Sequence, residues 1–263
     1  MRIVVTGAGG LIGRAAVARF GAIGLTHADL DITDRAAVAR TMLDLDPDLV
    51  INCAVLGVDE CERDPARARA VNTEAAAILA EHTPTIVHFS SNYVFEGNEK
   101  VFYTPEDEAK PINVYGKTKL DGERAVMARC PRVVIIRTSW VFGPGKKSFV
   151  SSVHRWLREG KHVRAVDDIW ASTTYVSDLI ERLGEIVERR EFGIHHVVND
   201  GVCSNESFAH EAARIVGADE ALIEPVPSKQ AHEAPRPRYT PLRAMPPLRH
   251  WRSALRAYIE SES

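Results

Sequence analysis

The 263-residue sequence predicts an α/β fold in which helices cover both faces of a doubly wound parallel sheet, with a smaller region at the C-terminal side. The first observation is that β-branched runs of strand length alternate with helical segments, the pattern of a parallel sheet buried on both faces. The second is a glycine-rich turn at residues 6–13, directly after the first strand. The third is that the regular alternation ends near Phe142. We therefore expect a core of residues 1–142, and expect residues 143–263 to form mainly a substrate-binding region interleaved with that core.

Four apolar runs give the clearest strands of the predicted sheet. Val and Ile dominate these runs, and both residue types favour strands because their branched side chains fit a pleated surface. The runs cover residues 2–7, 48–54, 85–91 and 132–140. A weaker strand near residues 22–27 fits between the first two helices and extends the sheet.

Helical segments follow these strands, each with apolar residues spaced three and four apart. They cover residues 11–20, 33–46 and 65–82, and a further helix begins near residue 114. Thr33 is a candidate N-cap of the second helix, because its hydroxyl can accept a hydrogen bond from a free N–H of the first turn.

Beyond Phe142 the predicted elements are shorter and less regular. Proline-rich residues 224–247 interrupt any periodic pattern before the last helix. Helices are expected at residues 148–160, 176–189, 204–216 and 248–259, and strands near residues 162–166 and 195–200.

The charge balance excludes several classes of partner. Lys and Arg number 33 against 36 Asp and Glu, so no general positive field favours nucleic acid or an anionic membrane. No apolar run approaches the roughly 20 residues that span a bilayer, and the first strand begins directly after Met1, so we expect neither a transmembrane helix nor a signal peptide. The four cysteines are scattered without CxxC spacing, which argues against a zinc site and a disulfide scaffold. These features predict a cytoplasmic protein, and we assign no metal ligands.

The glycine turn has the features of a phosphate-binding loop. Gly7, Gly10 and Gly13 follow a strand and open a helix, so backbone N–H groups there can approach a pyrophosphate that a side chain would obstruct. Leu11 and Ile12 lie within the same turn and are assigned to the cofactor site with the glycines. The fold is then of the Rossmann type, although tight packing of strand against helix is an alternative explanation of the three glycines.

The end of the second strand bears on the choice of dinucleotide. A carboxylate that holds the adenosine ribose is expected about 20 residues after the glycines. Thr26 and His27 stand there instead, and Asp29 and Asp31 lie slightly beyond. A site without this carboxylate can accept a 2′-phosphate, so NADP(H) is favoured and NAD(H) remains possible.

A tyrosine and a lysine four residues apart suggest acid–base chemistry. Tyr115 and Lys119 share a helix face, so the ammonium can lie near the phenol and lower its pKa from about 10. Ser91 ends a predicted strand at the carboxyl edge of the sheet, where open α/β folds place their ligands. An exposed helix surface is the alternative explanation of the Tyr-Lys pair.

These features together resemble the extended short-chain dehydrogenase/reductases. The shared motifs are "TGAGGLIG", the serine that ends the fourth strand, and "YGKTK". More narrowly, the chain resembles the dTDP-4-dehydrorhamnose reductase family over almost its whole length. The segments "PDLVINCA", "FSSNYVFEG", "RTSWVFG", "GIHHVVNDG" and "WRSALRAYI" follow one another in that family's order.

The resemblance implies the roles of individual residues at the reacting centre and along the cofactor. Ser91 orients the substrate carbonyl, Tyr115 donates the proton, and Lys119 is its electrostatic partner and a ribose ligand. The remaining cofactor contacts are Gly7, Gly10 and Gly13 to the pyrophosphate, Asp31 and Ile32 to the adenine, and Cys53 and Ala54 along the channel.

On the substrate side, the resemblance implies contacts from Asn92, Trp140 and the segment 168–174, which includes Trp170. Arg236 lies in the "RPR" segment, where a guanidinium can clamp a diphosphate, although an exposed loop charge explains it nearly as well. Asn92, Ile169 and Thr173 depart from the family's usual residues, and these departures leave the identity of the sugar open.

The implied activity is NAD(P)H-dependent reduction of the 4-keto group of a nucleotide-activated deoxysugar. Asn92 and Tyr93 supply no acidic pair after the catalytic hydroxyl, which argues against the related dehydratases. The "YGKTKLDGE" segment also resembles the regulatory beta subunit of methionine adenosyltransferase, so a non-catalytic NADP-binding subunit is the alternative. The expected small-molecule partner is a nucleotide sugar, and the sequence leaves a homodimer open.

Overall fold

The computed structural model describes residues 1–262. Its strands, in chain order, are β1 (Ile3–Thr6), β2 (Ile23–Leu25), β3 (Leu49–Asn52), β4 (Ile86–Ser91), β5 (Val133–Thr138), β6 (Val141–Phe142), β7 (Val163–Val166), β8 (Trp170–Ala171), β9 (Thr174–Tyr175), β10 (Gly193–His196), β11 (Asn199–Asp200), β12 (Ile223–Val226), β13 (Tyr239–Thr240) and β14 (Leu248–His250). Its helices are α1 (Leu11–Phe20), α2 (Arg35–Leu45), α3 (Val58–Arg63), α4 (Pro65–Arg69), α5 (Ala75–Glu81), α6 (Val114–Met127), α7 (Phe149–Arg158), α8 (Val176–Arg189), α9 (Asn205–Val216) and α10 (Trp251–Ser261).

Six parallel strands form the central sheet, in the order β10-β5-β4-β3-β1-β2. From β1 the chain winds outward to β2 on one side, and then through β3, β4 and β5 on the other. This reversal confirms the doubly wound fold. It also creates a crevice beyond the carboxyl ends of β1 and β3, where such sheets bind ligands.

Alternate residues of the strands supply two hydrophobic cores, one on each face of the sheet. Val4, Val50 and Ile86 face the side covered by α2, α5 and α6, whereas Val5 and Ile51 face the side covered by α1 and α8. Because both faces are buried, these strands are apolar throughout, which is why they stand out as continuous Val- and Ile-rich runs.

Local capping sets where the second helix begins. Asp34 is the N-cap of α2, and its Oδ1 accepts hydrogen bonds from the N–H groups of Ala36 and Ala37. The prediction that Thr33 caps this helix is therefore wrong by one residue. The Thr33 hydroxyl instead donates to Asp31 Oδ1 at 2.7 Å, which ties it to the preceding loop.

The helical segment expected at residues 65–82 contains an irregular turn. Ala70–Glu74 form a π-helical turn between α4 and α5. Such turns often mark functional sites. This one carries the buried Asn72, whose Oδ1 accepts from the N–H of Leu56 at 2.9 Å and whose Nδ2 donates to Thr118 Oγ1 at 3.2 Å. The turn thereby connects α6 to the loop that follows β3.

The C-terminal half is tied to the central sheet. Strand β10 pairs with β5 at one edge of it, and residues of α7, α9 and α10 belong to the same hydrophobic core as residues of β1, β3 and β4. Four short parallel strand pairs, β6-β9, β7-β12, β8-β13 and β11-β14, complete this half. Within residues 1–262, no helix is both long and apolar enough to span a membrane.

Candidate active site

The carboxyl ends of β3, β4 and β5 border a cleft of about 280 Å³. Helix α6 contributes Tyr115 and Lys119 to this cleft, and β4 contributes Ser91. Cys53 and Ala54 lie on the wall that follows β3. The structure thus brings the three predicted catalytic residues into one cleft with the predicted lining of the cofactor channel.

Ser91 is held at the end of β4 by its neighbours. It lies opposite Thr138 of β5, and its Oγ accepts a hydrogen bond from the N–H of Tyr93 at 3.2 Å. The same hydroxyl donates to Asn92 Oδ1 at 3.2 Å. Because this donor is the one that a substrate carbonyl would require, the hydroxyl must rotate away from Asn92 when it binds a ligand.

Tyr115 occupies the first turn of α6, close to Ser91. Asn113 caps this helix by accepting the N–H of Gly116 at 2.7 Å. A Cβ on Gly116 would overlap the carbonyl oxygen of Tyr93, so glycine permits α6 to approach the end of β4 this closely. The ring of Tyr93 meets that of Tyr115 edge to face, with centroids 6.1 Å apart. The phenol is therefore fixed beside Ser91 by backbone contacts of the helix.

Burial raises the pKa of Tyr115 to about 12, because the phenolate loses its hydration in the cleft. The largest opposing effect is the hydrogen bond with Ser91 rather than the charge of Lys119. The expectation that Lys119 lowers the phenol pKa is therefore wrong. The phenol is fully protonated near neutral pH, which is the form that a proton donor requires.

Lys119 lines the cleft and contacts a buried histidine. Its side chain is buried, and its Nζ lies 3.3 Å from Nε2 of His88. Burial lowers its pKa to about 8, and the carboxylate of Glu123, one turn further along α6, opposes this shift. His88 of β4 is therefore a direct neighbour of the predicted catalytic lysine.

The three positions of the turn require glycine for different physical reasons. Gly7 has φ 68°, and a Cβ there would lie 2.6 Å from the N of Ala54; a Cβ on Gly13 would overlap the Gly7 carbonyl oxygen. Packing alone therefore explains these two glycines. A Cβ on Gly10 would make only an ordinary contact, 3.4 Å from that same oxygen. Gly10 is exposed at the N-terminus of α1, where Leu11 and Ile12 follow it, so a bound anion rather than packing would account for it.

A second pocket, of about 540 Å³, continues from the cleft on the other side of Ala54. Its lining includes four residues predicted to contact the cofactor, Gly7, Asp31, Ile32 and Ala54, together with Thr26 and His27. Asp31 accepts hydrogen bonds from the N–H and hydroxyl of Thr33, which lower its pKa. The two pockets share Ala54 and Val55, so one extended molecule can occupy both.

The second pocket lacks a carboxylate at the position predicted to face the ribose, because Thr26 and His27 stand there. Asp29 lies nearby, but its Oδ2 accepts the N–H and hydroxyl of Thr26, at 2.8 and 2.6 Å. His27 and Arg67 line the pocket, and both lower the pKa of Asp31. The surroundings of the pocket are therefore compatible with an additional phosphate.

Two of the predicted substrate residues line the catalytic cleft. Trp140 follows β5 with φ 35°, a left-handed conformation that is uncommon for a bulky residue and often occurs at functional sites. Asn92 also lines the cleft, but its Nδ2 donates to Thr240 Oγ1 at 2.7 Å. Its amide therefore joins the C-terminal half to the end of β4, in addition to any contact with a ligand.

Arg236 and Trp170 lie outside the cleft. Arg236 borders an adjoining pocket, and its buried guanidinium binds both carboxylate oxygens of Asp59 at 2.9 Å. The interpretation of Arg236 as an exposed loop charge is therefore wrong, and a diphosphate would have to share it with Asp59. Trp170 lines a separate pocket with Asp168 and Arg238, so its contact with the substrate stays a prediction. The pairing of β8 with β13 fixes it there.

Sequence reasoning missed several residues of the adjoining pocket. Phe149, Lys146 and His232 line it beside Trp140, and Lys146 also lines the catalytic cleft. The "GPGKK" turn after β6 was an available signal, because glycines there allow a sharp turn next to the cleft. Among residues 1–262, no group of three or more His, Cys, Asp or Glu side chains could hold a metal ion.

Comparison with known proteins places this site in a family. The family model described as "RmlD substrate binding domain" matches residues 1–263. The dTDP-4-dehydrorhamnose reductase of Mycolicibacterium smegmatis is 39% identical over 275 residues, covering 97% of this chain and 84% of that protein. A crystal structure of a dTDP-4-dehydrorhamnose reductase from Clostridium acetobutylicum superposes with a TM-score of 0.93 at 32% identity, covering 100% of this chain and 99% of the other. One from Bacillus anthracis, in complex with NADP, gives a TM-score of 0.93 at 26% identity and 99% coverage of both chains. The chain therefore belongs to the RmlD substrate binding domain family, the dTDP-4-dehydrorhamnose reductase family that its motifs resemble.

Proposed function

We propose that this protein is an NADPH-dependent reductase of the 4-keto group of a nucleotide-activated deoxysugar, with dTDP-4-dehydrorhamnose as its substrate. The observation that carries the proposal is the convergence of Ser91, Tyr115 and Lys119 in a cleft that continues toward an open glycine turn. The names of the relatives support the sugar nucleotide, and the NADP complex of the Bacillus anthracis relative supports the cofactor. NADH is a possible second cofactor.

The residues present fit a dinucleotide. Gly10 leaves the N-terminus of α1 free of side chains, and the aligned N–H groups there favour an anion. His27 and Arg67 stand where Asp or Glu would repel a 2′-phosphate. Ala54 connects this half of the site to the catalytic cleft. We assign the pyrophosphate to the glycine turn and the adenosine to the pocket of Asp31 and Ile32.

The reduction requires one hydride and one proton. The bound dinucleotide supplies the hydride to the carbonyl carbon, and the protein supplies the proton to the carbonyl oxygen. Tyr115 is suited to this role because burial keeps its phenol protonated. The Ser91 hydroxyl, once released from Asn92, donates a hydrogen bond to the same oxygen and fixes it next to the phenol.

Replacement of Tyr115 tests the proposal. In Tyr115→Phe the ring and its contact with Tyr93 remain, but the proton donor is lost, so turnover should fall by about 10²–10⁴-fold. NADPH consumption with dTDP-4-dehydrorhamnose is the assay, alongside GDP- and UDP-linked 4-keto sugars. Tyr239→Phe is the matched control, because Tyr239 lines the separate pocket of Trp170.

Two results would contradict the proposal. Near wild-type turnover in Tyr115→Phe would remove the phenol from the chemistry. Tight NADPH binding without turnover on any 4-keto sugar nucleotide would instead favour the non-catalytic alternative, a cofactor-binding regulatory subunit.

A further inference from the structure

A chain of buried polar side chains leads from the glycine turn to Lys119. Thr6 Oγ1 donates to Asn52 Oδ1 at 2.9 Å, Asn52 Nδ2 lies 3.2 Å from His88 Nδ1, and His88 Nε2 lies 3.3 Å from Lys119 Nζ. Each of the four residues is at most 2% exposed. Strand register builds the chain, because Thr6 lies opposite Asn52 on β3 and Asn52 lies opposite His88 on β4.

The orientation of the Asn52 amide follows from a backbone contact. The N–H of Ala54 donates to Asn52 Oδ1 at 3.2 Å, and a backbone N–H can only donate. The amide oxygen must therefore face Ala54 and Thr6, which leaves the NH₂ group facing His88. A flipped amide would set two donors against each other.

This orientation fixes the tautomer of His88. Because the Asn52 NH₂ donates to Nδ1, that nitrogen is the acceptor of the ring. Burial lowers the pKa of His88 well below its usual value, so the ring is neutral and carries a single proton. That proton must lie on Nε2, the nitrogen that faces Lys119.

An N–H group facing a lysine favours the neutral amine. An ammonium has three donors and no acceptor, whereas an amine can accept the Nε2–H of His88. The other titratable groups near Lys119 compensate only in part for the hydration that its charge loses on burial. Glu123 acts on it from the same helix, but both carboxylate oxygens bind Arg137, and burial keeps the thiols of Cys53 and Cys61 neutral.

We propose that His88 is a positioning residue whose Nε2–H favours the neutral amine of Lys119 in the free protein, so that the amine predominates at mildly alkaline pH, and that dinucleotide binding then lets Lys119 take up a proton from solvent. The proton adds to the lone pair of Nζ, which then gives up the hydrogen bond from His88 and donates to an oxygen of the ligand. This inference rests on the proposed function, because it assigns Lys119 to the dinucleotide. Beyond that function, the inference assigns His88 a role in controlling the protonation of Lys119.

The tautomer can be observed without any ligand. Two-dimensional ¹⁵N NMR of protein labelled at its 10 histidines should show one neutral ring protonated on Nε2, absent from the spectrum of His88→Gln. In Asn52→Asp a carboxylate replaces the NH₂ donor and accepts from Nδ1, so this ring should change to the Nδ1–H tautomer. A wild-type ring that is charged, or protonated on Nδ1, would overturn the proposal.

Proton uptake tests the consequence at Lys119. NADPH titrations by calorimetry, in buffers of different ionisation enthalpy and at a pH about one unit above the lysine pKa, should show uptake of about one proton in the wild type. In His88→Gln the side-chain carbonyl accepts from an ammonium, so Lys119 is already charged and the uptake should be lost. Equal uptake in the two proteins would overturn the proposal.

These measurements separate the inference from the proposed reaction. Neither uses a sugar nucleotide, so an Nε2–H tautomer with proton uptake would support the role of His88 even if no reductase activity were found. Conversely, an active reductase with an Nδ1–H ring would keep the proposed function and reject the inference. Should His88→Gln fail to fold, Asn52→Asp tests the same coupling, because its Nδ1–H tautomer presents an acceptor to Lys119 and also predicts loss of the uptake.

Discussion

Replacement of Glu123 by Gln should destabilise the protein strongly. Arg137 of β5 binds Glu123 of α6 through two hydrogen bonds, Nε to Oε1 at 2.9 Å and Nη2 to Oε2 at 2.8 Å. Only 4% of the Arg137 side chain and 1% of the Glu123 side chain are exposed. Glu123→Gln preserves the volume but removes the charge, which leaves the guanidinium buried without a counterion.

The magnitude follows from this burial. Breaking a buried ion pair by removing one partner costs about 3–5 kcal/mol, because the remaining charge stays desolvated. In a protein of this size, each kcal/mol corresponds to roughly 2–4 °C in Tm, so the Tm should fall by about 6–20 °C. Urea unfolding followed by circular dichroism gives the free energy of unfolding, and scanning calorimetry gives the Tm.

An exposed ion pair provides the matched control. Arg19 Nε lies 3.3 Å from Glu181 Oε2, and 68% of the Glu181 side chain is exposed. Glu181→Gln should therefore cost less than about 1 kcal/mol. A loss below about 1 kcal/mol in Glu123→Gln as well would refute the reasoning, because it would mean that water reaches Arg137.

Three further results are expected. Gly10→Ala should fold with nearly unchanged stability but bind NADPH at least about tenfold more weakly in calorimetry, a loss of about 1.4 kcal/mol. Gly13→Ala should instead lower the Tm, because its Cβ overlaps a backbone oxygen. Arg67→Ala should weaken NADPH binding more than NADH binding, by roughly tenfold, if its guanidinium contacts the 2′-phosphate. The pKa of Lys119 is about 8 in the folded protein against 10.5 in the unfolded chain. Between these two pH values the unfolded state binds more protons, so the free energy of unfolding should rise with pH, by up to about 1.4 kcal/mol per pH unit. Lys119→Met, compared by urea unfolding over the same window, should lack this rise, and an identical slope in both proteins would contradict the lowered pKa.

The sheet and the convergence of Ser91 and Tyr115 in one cleft were predictable because their signals are local. Continuous Val- and Ile-rich runs reflect burial on both faces, and parallel strands end at a common edge. Ser91 at the end of one such run, and Tyr115 in the first turn of α6, therefore had to lie near each other. The position of Gly10 at the start of α1 was predictable for the same reason, because the turn and the helix are adjacent in sequence.

The differences from expectation mostly concern contacts that depend on distant parts of the chain. Trp170 was expected to face the sugar nucleotide, but the pairing of β8 with β13 places it beside another pocket, so this contact stays a prediction. The pairing of Arg236 with Asp59 joins residues 177 positions apart in sequence, which no local pattern reveals. The prediction that Thr33 is the N-cap was wrong for a local reason: Asp34 beside it is an equally good capping residue, and α2 begins one residue later.

The charges of Tyr115 and Lys119 also depend on contacts between distant parts of the chain, although the positions of the two residues follow from local spacing. Spacing of four residues places both on one helix face, and from this a charged lysine beside an acidified phenol was expected. In the structure Nζ turns toward His88, and burial favours the neutral form of each group, raising the pKa of the phenol and lowering that of the amine. Burial in the cleft disfavours both charges, because each would lose its hydration. Since the pKa of Lys119 is about 8, its charge can change both with pH and with what binds in the cleft. The sequence predicts which residues line the cleft, whereas their charge depends on the register of β1, β3 and β4, which brings Asn52 and His88 close to Lys119.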